Sequence, residues 1–206
     1  AMAEAGLVFE SLRLAESARF RRELLDADRQ LLAGLLYPRA FADAITEAAD
    51  SAGIPEELAF AKVREESFFS PGIVSVAGAV GLTQLIPATA QDQAARLGVA
   101  ADDLTDPAQN ALIGLSYLAR QLERLPNPAA AVAAYNGGGN RLRRWEAELS
   151  SLPSLSRVLA YEITETRIHV QKVVETAVFY GAAAGRDSAD ILRYFFPDLP
   201  IPEDSP

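Results

Sequence analysis

Apolar residues recur at intervals of three and four along almost the whole chain, and proline or glycine falls where that rhythm stops. This period marks amphipathic α-helices, and the stops mark their ends. A first run, Leu7 to Leu36, carries Leu12, Leu24, Leu25, Leu31, Leu32 and Leu35 at helical spacing and breaks at Tyr37-Pro38. Phe41–Ala52 is a second helix, closed by Gly53, and Ile54-Pro55 opens a third that is expected to run to Phe69. From Gly72 to Pro87 the Gly, Ser, Val and Ala content predicts a loop with one short turn or strand. Helices follow at Ala88–Leu97, from Asp106-Pro107 to Leu125, at Ala129–Tyr135, at Arg141–Leu149, at Ala160–Ala184 and at Asp187–Phe196. An acidic, proline-rich tail closes the chain. The fold class is therefore all-α, with residues 1–37 as a helical lead-in and 38–206 as the main domain.

Composition narrows the function. Half of the 206 residues are hydrophobic, enough for a sizeable core. A net charge of −9 disfavours nucleic acid and anionic membranes as partners. With no cysteine and one histidine, neither a thiolate site nor an imidazole cluster can hold a metal, and no cofactor motif stands out. The triple glycine at 137–139 lacks the Lys-Ser/Thr of a phosphate loop. No apolar run is long enough to span a bilayer. The opening AMAEAGLVFE lacks the basic region and apolar core of a signal peptide.

The chemistry centres on Arg64–Phe69, REESFF, which lies between an apolar helix and the glycine-rich loop. Adjacent glutamates are most often solvated, and Lys62 offers either one an ion pair. Ala59, Val63 and Glu66 share a helix face, whereas Glu65 follows Leu58 and Lys62 about 100° away. Glu66 is thus the better candidate for a carboxyl set into an apolar wall, an environment that suits a general acid.

Four motifs in order carry a resemblance. The first, AFAKVREESFFSPGIVSVAGAVGLTQLIPATA, holds Glu66-Ser67, Pro71, Ser75, Gly78-Ala79, Gly81-Leu82, Gln84 and Pro87. DPAQNALIGLSYLARQL, AAYNGG and ETRIHVQKV follow, and together they resemble the soluble lytic transglycosylase family over roughly residues 38–180. The resemblance implies a lysozyme-like helical catalytic domain that cleaves the β-1,4 bond between N-acetylmuramic acid and N-acetylglucosamine in peptidoglycan. It makes Glu66 the single acid and then base, and the product a 1,6-anhydro sugar. It also implies a periplasmic or cell-envelope location, with the export signal outside this chain, and a helical solenoid before the catalytic domain.

The same resemblance carries over the substrate-binding residues. Ser75, Gly78 and Ala79 would line the sugar subsites, and Gln84 would bind an acetamido or hydroxyl group. Tyr135 and Asn136 would place a phenol near the catalytic carboxyl. Asn110 is read as structural and Trp145 as core. Thr83 stands where Met is common in the family, and is expected to alter packing against the sugar. Before Glu165 the family's Ile-Pro-aromatic segment is shortened to LAYEITETR, where Glu162 stands in for a family glutamate. Glu165 and Arg167 are expected to form an ion pair, and His169 occupies a frequent Tyr position. Two rivals remain: a goose-type hydrolase, with Glu162 or Asp92 holding a water, and a peptidoglycan-binding module without activity.

Overall fold

A computed structural model describes Phe9, Leu12, Arg13 and residues 34–201. The expected lead-in over 1–37 lies almost wholly outside the described residues. Helices α1 (Ala42–Ala52) and α2 (Glu56–Ser67) come first and pack against each other. Then come α3 (Pro87–Leu97), α4 (Pro107–Leu122), α5 (Pro128–Gly137) and α6 (Gly139–Glu148). The chain ends in α7 (Ser154–Ala160), α8 (Thr164–Ala183) and α9 (Ser188–Phe195).

The punctuation acts as local chemistry requires. Gly53 and Gly98 close α1 and α3 in the left-handed region, at φ of 65° and 70°. Asp106 and Asn127 cap α4 and α5 by accepting from Gln109 N at 2.7 Å and Ala130 N at 2.8 Å, each followed by proline. The predicted Gly72–Pro87 loop contains two isolated antiparallel bridges, Val74 to Val80 and Val80 to Leu85.

One expected helix starts late and another helix was not foreseen: the run expected over Ala160–Ala184 begins at Thr164, α7 fills Ser154–Ala160 before it, and Tyr161–Ile163 form an extended joint. Tyr161 is fully buried, its ring stacks on Trp145 at 5.5 Å, and its hydroxyl donates to Glu146. Arg167 does not reach for Glu165. It donates to the Tyr161 carbonyl at 2.5 Å and to Thr164 Oγ1 at 2.9 Å, which ties the joint to α8. Tertiary contacts thus stop the helix where no glycine or proline does.

The packing places α5 at the centre, against α4, α6, α7, α8 and α9. Ala129 through Ala134 are all fully buried. Around them lie α2 against α8 and α1 against α4. The main core runs through Ile45, Leu58, Phe60, Leu82, Leu115, Leu118 and Val170. A smaller cluster of Leu85, Ala90, Ala94 and Ile113 supports the far side of the loop.

Candidate active site

Glu66 sits in the last turn of α2. The helix is stopped by two consecutive phenylalanines in the left-handed region, Phe68 at φ 48° and Phe69 at φ 57°. Bulky side chains adopt this conformation at a cost of about 1–3 kcal/mol each. It is held because Phe69 is buried near Phe60, ring centroids 6.4 Å apart, and Phe68 N donates to Arg64 O at 2.9 Å. The turn sends the chain back past the helix end and leaves a cleft of about 440 Å³ lined by Glu65, Glu66, Ser67, Phe68 and Ile73, with Phe9 and Arg13.

The two glutamates have different partners. Glu65, with 5% of its side chain exposed, pairs with Arg64 and accepts from Thr176 Oγ1 of α8 at 2.7 Å. Arg64 in turn donates to Leu36 O at 2.7 Å. Glu65 is a structural link between α2, α8 and the preceding chain. Glu66, 13% exposed, is the partner of Lys62, one of the two pairings that the spacing allows. Glu66 therefore does not sit in an apolar wall. Its carboxylate faces the Lys62 ammonium and lies 3.4 Å from His169 Nε2.

Tyr135 completes this group from the end of α5. Its ring centroid is 3.6 Å from Lys62 Nζ, and its edge meets Tyr117 at 5.1 Å. Its hydroxyl donates to Thr83 O at 2.9 Å, so it braces the loop. Burial, and then the Glu66 charge, push this phenol well above its ordinary range, so it remains a neutral donor. Asn136 is exposed and accepts from Thr166 Oγ1 at 2.9 Å, which joins α5 to α8.

The loop residues are engaged mainly with each other. Ser75 Oγ accepts from Ala79 N at 3.0 Å, and Ser75 O accepts from Gly78 N at 2.9 Å. Gly78 has φ 80°, and Ala79 is buried. Gln84 holds φ 50°, and its Nε2 donates to Gly81 O at 2.9 Å and to Ile73 O at 3.2 Å. Thr83 is fully buried, so it packs inside the domain and not against a sugar. Glu162 is exposed on the joint before α8, and among the described residues no hydrogen bond or ion pair joins it to Glu66, Gln84 or Tyr135. Asp92 is engaged by Arg96 and Arg120 on the surface, which holds its carboxyl below the usual range.

Asn110 fixes the loop, as its sequence reading anticipates. Its Oδ1 accepts from Thr83 N at 2.8 Å and Thr83 Oγ1 at 2.6 Å, while Nδ2 donates to Val80 O at 3.0 Å and Leu104 O at 2.9 Å. Gly81, at φ 81°, lies so close to Leu104 O and Asn110 that any Cβ would collide with them. Sequence reasoning missed Lys62 and His169 as parts of the site. A lysine inside an otherwise apolar stretch, four residues before the acid, was the signal available.

An all-helical domain with a carboxylate at a helix end, faced by a loop fastened to the next helices, has the architecture of the lysozyme-like helical class. Residues 43–154 match the family described as the transglycosylase SLT domain, and the chain belongs to that family. It is 29% identical over 170 residues to the soluble lytic murein transglycosylase of Escherichia coli K12, covering 80% of this chain and 24% of that protein. The Salmonella typhimurium counterpart is 30% identical over 159 residues, covering 74% and 25%. An inactive Glu→Gln mutant of the lytic transglycosylase Slt from Pseudomonas aeruginosa superposes with a TM-score of 0.74 at 27% identity, covering 94% of this chain and 33% of that one. The 70 kDa soluble lytic transglycosylase of Escherichia coli gives 0.75 at 26%, covering 91% and 30%. The chain thus spans about a quarter of the curated relatives and about a third of the matched structures.

Proposed function

We propose that residues 38–206 form a lytic transglycosylase domain that cleaves the MurNAc-β-1,4-GlcNAc bond of peptidoglycan at the cell envelope. The lead-in over 1–37 would be the end of a preceding helical solenoid. One observation carries the reading: Glu66 stands at the strained end of α2, inside a cleft whose facing loop is braced by the Tyr135 hydroxyl.

The reaction needs one carboxyl group. Glu66, protonated, gives its proton to the glycosidic oxygen as the C1–O bond breaks. The resulting carboxylate takes the proton of the muramoyl 6-hydroxyl as that oxygen attacks C1, forming the 1,6-anhydro ring. No water is consumed, and the acid is regenerated. The nucleophile belongs to the substrate, so the second carboxylate of an ordinary glycosidase is not required. The exposed position of Glu162 suits this economy. Gln84 Oε1 and the Ser75–Ala79 turn are the groups offered to the sugar, while Tyr135 holds the wall in place.

The test is mass spectrometry of products released from purified sacculi by the wild-type chain and by Glu66→Gln. Muropeptides one water lighter than hydrolysis products, absent with the variant, support the reading. Products with reducing ends would replace it with a hydrolase, and binding without any product would replace it with a binding module.

A further inference from the structure

Lys62 is the group that the reaction as described does not use. It is fully buried on α2, one turn before the acid. Its Nζ donates to Glu66 Oε1, lies 3.2 Å from His169 Nε2, and rests against the Tyr135 ring. A buried ammonium is costly unless paired, and an ammonium beside a carboxylate favours the ionised carboxylate. The hydrogen bond between the two side chains gives a proton a direct path from one to the other.

The surroundings allow this. Burial pushes the Lys62 ammonium below the ordinary lysine range, with the Glu66 charge acting against it. Burial, then Lys62 and Lys172, push His169 well below the ordinary imidazole range, so its ring is neutral and its Nε2 can accept from Lys62. The other charged and titratable groups around the pair are accounted for. Arg64 and Glu65 on α2 bind each other, and Glu65 is held by Thr176 of α8. Lys172 is exposed on α8, Tyr135 of α5 is a neutral phenol, and Arg13 lines the open side of the cleft.

We propose, on the reading that this domain is a lytic transglycosylase, that Lys62 is a positioning residue that stores the proton of Glu66 and loads it when a glycan fills the cleft. In the open cleft the pair is ammonium and carboxylate. When sugar displaces water, the part-exposed Glu66 carboxylate loses its remaining solvation, an Nζ–H bond breaks and a Glu66 O–H bond forms. Glu66 then gives this proton to the leaving oxygen, recovers one from the 6-hydroxyl, and returns it to the Lys62 amine as product leaves. No proton is gained or lost over the cycle. His169 holds the amine in line by accepting its second hydrogen.

Two substitutions separate this from a merely structural lysine. Lys62→Met keeps the length without the charge, whereas Lys62→Arg keeps a charge that does not deprotonate. The assay is release of anhydro products from solubilised glycan strands, as kcat/KM against pH, with folding checked by circular dichroism. Lys62→Met should retain turnover within about tenfold at acid pH, with its alkaline limb moved down by about one pH unit or more because the amine that stores the proton is gone, whereas a limb moved up is the mark of a merely structural cation and overturns the role. Lys62→Arg should lose about 100-fold or more, the scale of losing a general acid. Full activity in Lys62→Arg, or a pH profile of Lys62→Met superimposable on wild type, overturns the role. If either variant fails to fold, nitrogen NMR of wild-type Lys62 decides. Its Nζ should change from ammonium to amine when an anhydro product occupies the cleft, and an unchanged ammonium overturns the proposal. A wild type that releases no anhydro product overturns the transglycosylase reading itself, which separates the two failures.

Discussion

Replacing Asn110 by alanine should cost this domain far more than one polar side chain normally does. The side chain is fully buried and makes all four of its polar contacts to the loop and to the segment entering α4. The losses are unequal. Thr83 Oγ1 keeps the Asn110 carbonyl at 3.3 Å, and Val80 O keeps Leu85 N at 3.2 Å. Thr83 N and Leu104 O lose the only partners the described residues give them. An orphaned buried backbone group costs about 1–3 kcal/mol, and the vacated space adds roughly 1 kcal/mol. The expected loss is therefore about 3–7 kcal/mol, a large share of a typical domain's stability. Equilibrium urea unfolding measures it, provided the m-value is unchanged. Activity should fall as well, because Thr83 O is the acceptor that positions Tyr135. A loss below about 1 kcal/mol would mean that the loop is not held through Asn110, and this account of the cleft wall would fail.

Three further outcomes are expected. His169, the chain's only histidine, has its folded-state value depressed below 6.5, so below that pH the unfolded chain binds a proton that the folded chain does not. Its contribution is complete above pH 6.5 and is lost as pH falls, with a slope of at most about 1.4 kcal/mol per unit; His169→Phe should remove that slope from stability measured across acid pH. Gly114→Ala places a methyl group against the Thr83 side chain and should cost about 1–3 kcal/mol, with part of the loss restored by adding Thr83→Ala, read as coupling in a double-mutant cycle. Trp145→Ala should cost about 3–5 kcal/mol in denaturant melts, because the indole supports Tyr161 at the joint before α8.

Helix period and chain breakers made most of the architecture legible before any coordinates. Gly53, Gly98, Pro107 and Pro128 act at the boundaries where glycine and proline chemistry puts them. The joint at Tyr161–Ile163 was hidden because LAYEITE continues a helical rhythm, and only the burial of Tyr161 against Trp145 and Glu146 interrupts it. The site was legible in its residue types more than in its pairings. Lys62 lies three residues from Glu65 and four from Glu66, and both spacings bring side chains together on a helix. Which spacing wins depends on α8, whose Thr176 claims Glu65 and whose His169 faces Lys62. Thr83 reads as a surface residue by type, and its burial follows from Asn110, twenty-seven residues away.

The alanines of α5 have a consequence beyond packing. A methyl side chain has no rotamers, so a helix that buries five alanines fully, with only the stiff Val132 among them, has little internal slack. Any displacement of its neighbours is passed along the rod to Tyr135 at its end instead of being absorbed on the way. Stability and catalysis therefore draw on the same small set of positions. Enlarging any one of them would pry the surrounding helices apart and misalign the cleft together. Sequence drift and protein engineering alike should find their freedom at the rim, on the outer faces of α3 and α6, and almost none along this axle.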